Sequence, residues 1–296
     1  MKLIRERLLD VGSGRITAMD KEGIDHQVLS LSAGGLNALE AGFARELAEE
    51  ANSIMANAVR EHPDRFSAFA ALAMQDPEHA ATVLESCVSR HGFKGALIEG
   101  MVGDQFLDHE RFRPVFEAAQ ALDVPIYLHP APPPPAVQQA YFGDLQPPLN
   151  FLLSTAAWGW HVETGLHVLR LIASGLFDRL PRLKMIIGHM GEDLPFSIAR
   201  ADTVLQRGWL KLQRSVTEYL LQNFWITTSG YFTVPPFVCA RDVVGMDRVL
   251  LSIDYPYSEL RKGREFLDAI APCVSAEELE KVAWRNAAAL LNIRLD

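Results

Sequence analysis

The chain has 296 residues, of which 49% are hydrophobic and 22% charged, and its formal net charge is −9. The hydrophobic fraction is too high for a disordered protein. The length suits either two domains of about 150 residues or one α/β barrel of about 250. An acidic chain has no general electrostatic attraction to nucleic acid or to an anionic membrane, which argues against both classes of partner.

The N-terminus and the cysteines predict a cytoplasmic protein. No apolar stretch follows the first charged residues, as a secretory signal would require, and no apolar run approaches the roughly 18 residues of a membrane span. Cys87, Cys239 and Cys273 are scattered and form no CxxC pair. Such a set is typical of free thiols in a reducing compartment.

The pattern of hydrophobic residues alternates between strands and helices. The chain opens with a helical pattern over residues 3–21. Seven short apolar or β-branched runs follow, and helical patterns separate them. The runs cover residues 28–31, 66–70, 95–98, 124–128, 184–187, 224–228 and 249–252.

This alternation predicts βαβ units and a parallel sheet in a single domain over residues 1–296. The helical patterns include residues 40–62, 79–91, 111–122 and 162–176, and Ser275 with Glu278 forms a capping box that opens the last helix. A (β/α)8 barrel has eight units, whereas seven are countable here. We therefore expect a TIM-type barrel that lacks or distorts its first strand.

Residues 130–135 contain five prolines and directly follow the predicted strand that ends at His129. A linker or an SH3-type ligand is possible for such a run. Because this proline run directly follows a predicted strand, we interpret it as a stiff loop beside the functional site.

Three predicted strands end in side chains that suit metal binding or acid–base chemistry. His129 ends one strand, His189 ends another within a GHMGE sequence that includes Glu192, and Asp254 ends a third. In a parallel barrel the carboxyl ends of all strands lie at the same end of the barrel. Two histidines and an aspartate there suit zinc, or manganese if oxygen ligands dominate. Each residue also has a structural alternative, as a hydrogen-bonded loop histidine, a turn aspartate or a helix-capping glutamate.

Other chemistry finds little support in the sequence. There is no GxSxG elbow, no P-loop, no strand-linked GxGxxG and no HExxH. His167 lies on a predicted helix among apolar residues, so we expect a buried and hydrogen-bonded histidine. His161, beside Trp158 and Trp160, is placed to line a pocket.

Five ordered segments closely resemble the amidohydrolase-2 family, and within it the γ-resorcylate and 2,3-dihydroxybenzoate decarboxylases. The resemblance extends from about Arg5 to the C-terminus and includes the FSAFAALAMQD sequence of residues 66–76. The five segments are YLHP (127–130), ASGLFD (173–178), PRLKMIIGHMGE (181–192), ITTSG (226–230) and SIDYP (252–256).

The resemblance implies a (β/α)8 barrel with one divalent metal, zinc or manganese. His129 would be a metal ligand, and Asp254 would be both a ligand and the acid that protonates the substrate ring. His189 and Glu192 would be a pair that orients or charges the site. The substrate would be an aromatic acid with a hydroxyl group ortho to the carboxylate, and the assembly a homodimer or homotetramer.

One family motif has no counterpart here. Members begin with a strand that carries two further ligands in an HxH or ExH sequence, whereas residues 1–20 contain no histidine. Three explanations stay open: a misassigned start or a truncation, a natural deletion, or replacement by another group such as His189. The leading function is therefore a metal-dependent decarboxylase. The alternatives are a metal-dependent hydrolase of a lactone, ester or amide, and a non-catalytic barrel that has lost its metal motif.

Overall fold

The computed structural model describes residues 2–31, 35–205 and 210–295. Short strands and longer helices alternate along these ranges. The strands are β1 (Gln27–Leu29), β2 (Phe66–Ala68), β3 (Ala70–Ala71), β4 (Ala96–Glu99), β5 (Ile126–His129), β6 (Met185–Ile187), β7 (Phe224–Thr227) and β8 (Val249–Leu250). The helices and helical turns are α1 (Lys2–Leu9), α2 (Ser13–Glu22), α3 (Ala41–Glu61), α4 (Pro77–His91), α5 (Arg113–Ala121), α6 (Pro135–Phe142), α7 (Leu149–Ser154), α8 (Gly159–Ala173), α9 (Leu176–Arg179), α10 (His189–Glu192), α11 (Leu194–Leu205), α12 (Val216–Asn223), α13 (Val234–Val244), α14 (Arg261–Ile270), α15 (Ala276–Glu280) and α16 (Asn286–Leu291).

All strand pairs are parallel, and their order follows the chain. β1 pairs with β2, and β3 through β8 form a six-stranded sheet. β2 and β3 are two halves of one extended segment on either side of Phe69. Its amide still donates to the carbonyl oxygen of Leu29 at 2.8 Å, and the amide of Lys94 donates to Ala68 at 2.8 Å. The two sheets are therefore joined at this kink, and the seven predicted strand positions are confirmed.

The barrel is open on one side. Within the described residues, β1 and β8 pair with β2 and β7 respectively and not with each other. A cavity of about 1590 Å³ lies inside the barrel and at this gap, and its walls include residues of β1, β8, α1, α2 and α16. Two helices, α1 and α2, occupy the region before β1, as the helical pattern there predicts. A TIM-type architecture with an absent or distorted first strand is thus confirmed.

Helix ends show the expected local chemistry. The Asp76 side chain accepts a hydrogen bond from the amide of His79 at the start of α4, and Gly92 ends that helix at a φ of 68°. The predicted capping box of Ser275 and Glu278 is present at α15. Most buried apolar side chains, from Met19 to Val282, form one large hydrophobic cluster, and a second, smaller cluster includes Phe69 and Leu250. The single domain stays a prediction.

The proline-rich segment differs from the prediction. The loop interpretation is correct only up to Pro134, because α6 begins at Pro135 and α7 follows. Proline is well tolerated in the first turn of a helix, where its missing N–H has no intrahelical partner. The prolines therefore start a helix here instead of extending a loop.

The cysteines and the helices bear on the predicted redox compartment and on membrane spans. All three cysteines are free thiols, and burial raises the pKa of Cys87 to about 11. No helix in the described parts of the chain is long and apolar enough to span a membrane.

Candidate functional site

Three predicted site residues line the same cavity. His129 is the last residue of β5, His189 follows β6 after Gly188, and Asp254 lies four residues beyond β8. The ring centroids of His129 and His189 are 6.0 Å apart. The parallel sheet therefore brings these side chains together at the carboxyl ends of its strands, as the sequence pattern predicts.

His129 is held as a neutral imidazole. Its Nδ1 donates a hydrogen bond to the carbonyl oxygen of Pro130 at 2.8 Å, so Nε2 is the nitrogen that keeps a free lone pair. Burial, with a further contribution from the nearby His189, lowers the pKa of His129 to about 4. In metal sites, a hydrogen bond from the ring nitrogen that does not bind the metal fixes the orientation of the histidine.

Asp254 points into the cavity. Within the described residues no hydrogen bond reaches its carboxylate, and its backbone has a φ of 66°. The surrounding protein displaces water and raises the pKa of Asp254, while His189 counteracts this only in part. A carboxyl group in this environment can hold a proton more readily than an ordinary aspartate.

The chain turns through an unusual conformation after β6. Residues 189–193 all have positive φ, and only Gly191 among them is a glycine. A left-handed conformation costs about 1–2 kcal/mol for each non-glycine residue. Gly191 is required by space as well, because a Cβ there would lie 2.8 Å from Pro195. This left-handed turn directs the side chains of His189 and Glu192 toward each other.

Glu192 lies at the centre of a buried hydrogen-bonded group. Its side chain is 1% exposed, and its two carboxylate oxygens accept from Nδ1 of His189 at 2.6 Å and from Nδ1 of His161 at 2.7 Å. Burial alone would raise the pKa of Glu192, but the two histidines outweigh it and lower that pKa. Burial alone would lower the pKa of His189, but Glu192 outweighs it and raises that pKa. Each partner therefore favours the charged form of the other, Glu192 as a carboxylate and His189 as an imidazolium.

The sequence predicted that His161 would line a pocket, but it does not line the cavity shared by His129 and Asp254. Its contact with Glu192 was missed. The contact joins residues 31 positions apart and depends on how α8 packs against the left-handed turn. One signal was available, because His161, Gly165 and Val168 recur at helical spacing on the buried side of α8. His167 behaves as predicted: it is buried, and its Nε2 accepts the amide of Leu107 at 2.9 Å.

Two sets of side chains have the chemistry to hold a metal ion. His161, His189 and Glu192 present ligand atoms that all lie within 4.8 Å of one another. Their Nδ1 and carboxylate atoms already bond to each other, so this group satisfies itself without an ion. His129 Nε2 and the Asp254 carboxylate have no such partners among the described residues and share the cavity. An imidazole nitrogen and a carboxylate oxygen are both ligand types that divalent ions accept.

Comparison with known proteins finds relatives over nearly the whole chain. Residues 12–293 match the family model described as amidohydrolase. The chain is 38% identical to a γ-resorcylate decarboxylase from Polaromonas, over 98% of this chain and 90% of that protein. The crystal structure of a dihydroxybenzoic acid decarboxylase from Polaromonas, with bound manganese and the inhibitor 2-nitroresorcinol, superimposes with a TM-score of 0.91. It is 37% identical and covers 99% of this chain and 89% of that one. A 2,6-dihydroxybenzoate decarboxylase from Rhizobium gives the same TM-score at 36% identity, over 99% and 91% of the two chains.

The fold and the site are those of an α/β-barrel enzyme with its chemistry at the carboxyl ends of the strands. The chain belongs to the amidohydrolase family.

Proposed function

We propose that this protein is a metal-dependent, non-oxidative decarboxylase of a hydroxybenzoate-like aromatic acid. The observation that carries the proposal is the meeting of His129, Asp254 and the His189–Glu192 pair at one cavity. The relatives named above, decarboxylases of γ-resorcylate and dihydroxybenzoate, support the choice of reaction.

In this proposal His129 and Asp254 hold the metal, which is zinc or manganese. When bound, the ion supplies a Lewis acid and a template for the neighbouring carboxylate and hydroxyl oxygens of the substrate. The protein provides two suitable ligand side chains, and both line the same cavity. Water and substrate oxygens would complete the coordination.

The protein's own residues account for the proton. Asp254 delivers a proton, from the carboxyl oxygen that does not bind the metal, to the ring carbon that bears the carboxylate. The bond between that carbon and the carboxylate then breaks, and its electron pair restores the aromatic ring as carbon dioxide leaves. Glu192 raises the pKa of His189 and so favours a positive charge beside the substrate's carboxylate.

The first test is turnover of 2,6-dihydroxybenzoate by the purified chain with added manganese or zinc. We expect release of carbon dioxide and a product lighter by that mass, and loss of activity by about 10²–10⁴-fold in Asp254→Asn. Asparagine is a matched replacement, since it tolerates the positive φ of this position. No carbon dioxide from this acid, with hydrolysis of an aryl ester or lactone by the same protein, would indicate a hydrolase. Equal decarboxylation rates in both proteins would rule out Asp254 as the acid.

We further propose that the protein forms a homodimer through an apolar face of α7 and α8. Five side chains define this α7–α8 face, and they are 46–65% exposed: Phe151, Leu152, Trp158, Val162 and Leu166. Phe151 and Trp158 alone expose roughly 200–300 Å², and three aliphatic neighbours extend the surface toward the size that marks protein–protein contacts.

The composition of the segment favours a second copy of the chain as the occupant. Residues 130–162 contain one charged side chain, Asp144, whereas the whole chain is 22% charged. Depletion of charge with retention of aromatic residues is typical of the centre of an interface. A two-fold contact lets the same uncharged face pair with itself, which is the commonest arrangement among soluble oligomers.

Sedimentation velocity tests this assembly. We expect a dimer for the wild type and a shift toward monomer for Phe151→Asp and Leu166→Asp. Phe43→Asp is the matched control, because Phe43 is 51% exposed on α3 and outside the face. A wild-type monomer at all concentrations, or equal effects of all three substitutions, would contradict the proposal.

A further inference from the structure

His161 is a buried histidine for which the proposed reaction provides no role. It is 4% exposed, it lies on α8, and its ring centroid is 4.9 Å from that of His189. It does not line the cavity that holds His129 and Asp254. Its hydrogen-bonded connection to the site runs through Glu192.

We infer that His161 is a positioning residue: it holds one oxygen of Glu192 so that the other oxygen fixes the ring of His189 at the cavity. Only the expected effect of His161 on turnover rests on the proposed function, whereas its structural role does not. Glu192 is ionised and accepts two hydrogen bonds, one on each oxygen. Without the His161 bond the carboxylate is free to rotate, and the alignment of His189 is lost.

The two nitrogens of His161 show why the Glu192 contact is its essential one. Nε2 lies 3.0 Å from the carbonyl oxygen of Ala156 and 3.2 Å from the indole Nε1 of Trp160. An indole N–H only donates and a carbonyl only accepts, so Nε2 can satisfy one of them at a time. A carboxylate only accepts, so Nδ1 is the donor in the bond to Glu192. The Glu192 bond is therefore the contact of this ring for which no second partner competes among the described residues.

The position of Glu192 makes this support necessary. Glu192 has a φ of 52° within the left-handed turn, and its side chain is buried. No backbone amide among the described residues donates to its carboxylate, so the two histidines are its partners. A strained backbone with a buried charge needs partners of fixed geometry.

The test compares three substitutions in the 296-residue chain. His161→Asn keeps a donor near the place of Nδ1, and His161→Leu removes it. His167→Gln is the control, since it replaces another buried histidine of α8 that does not contact the site. Selective ¹⁵N-histidine labelling then reports the Nδ1–H proton of His189 by NMR, with no need for turnover.

We expect a sharp, hydrogen-bonded His189 Nδ1–H signal in the wild type, in His161→Asn and in His167→Gln, and a broadened or absent signal in His161→Leu. Turnover should show the same order: kcat falls about 10–100-fold in His161→Leu, with little change in KM, and is largely retained in His161→Asn. An unchanged His189 signal in His161→Leu would overturn the inference. If no protein turns over substrate, the NMR comparison still decides the role of His161, and only the proposed reaction fails.

Discussion

At the scale of single residues, the hydrogen-bond partner separates buried histidines into different roles. His129 and His167 both have a pKa lowered to about 4, mainly by burial. His189 is also deeply buried, yet Glu192 raises its pKa. The partner of each ring, more than its burial, therefore decides whether it carries charge.

His167 gives a prediction for the pH dependence of stability. Its pKa is about 4 in the folded state against an ordinary 6.5, so the unfolded chain binds more protons between these values. The free energy of unfolding should therefore fall as the pH drops from 6.5 to 4, by roughly 3 kcal/mol from this residue. A glutamine side chain at this position would accept the Leu107 amide without titrating, so His167→Gln should show a flatter dependence. Denaturant unfolding at pH 7 and 4.5 measures the free energy of unfolding of both proteins. An equal change with pH in the wild type and in His167→Gln would contradict the prediction.

At the scale of elements, the left-handed turn stores strain in front of α11. Asp193 ends the turn with a φ of 62°, and its side chain is exposed. Glycine adopts this backbone without the steric penalty, so Asp193→Gly should raise the free energy of unfolding by about 0.5–1 kcal/mol.

The matched control is Asp268→Gly, which replaces an exposed aspartate inside α14. There glycine lowers helix stability, and we expect a loss of several tenths of a kcal/mol. Denaturant titration of both variants compares the two backbones directly. A loss at both sites would show that the turn is not strained at Asp193.

The sequence predicted these elements to different extents. Strand positions were predictable because short apolar runs alternate with long helical patterns, and His129, His189 and Asp254 followed from their positions at strand ends. The left-handed turn was not predictable, since four of its five residues are not glycine. The partnership of His161 with Glu192 depends on the packing of α8, which local patterns do not encode. Helices α6 and α7 were hidden by prolines that ordinarily indicate a loop.

At the scale of the whole molecule, a bound metal would link distant parts of the chain. His129 and Asp254 follow different strands of the open barrel, β5 and β8, and are far apart in sequence. Manganese at 100 times its dissociation constant would add about 2.7 kcal/mol to the free energy of unfolding. We therefore expect a melting temperature several degrees higher with manganese than with a chelator.

The same melting experiment on Asp254→Asn provides the control. The amide is a weaker ligand than a carboxylate, so most of the increase should disappear. An equal increase in both proteins would place the stabilising ion elsewhere, for instance at the group of His161, His189 and Glu192.

The open side of the barrel also bears on how the protein behaves at high concentration. Unpaired strand edges commonly recruit other chains into extended stacks. Here the edges belong to β1, with three residues, and β8, with two. A fibril-forming segment needs about six or seven residues of continuous extended chain. The edges on both sides of the gap are therefore too short to start a fibril.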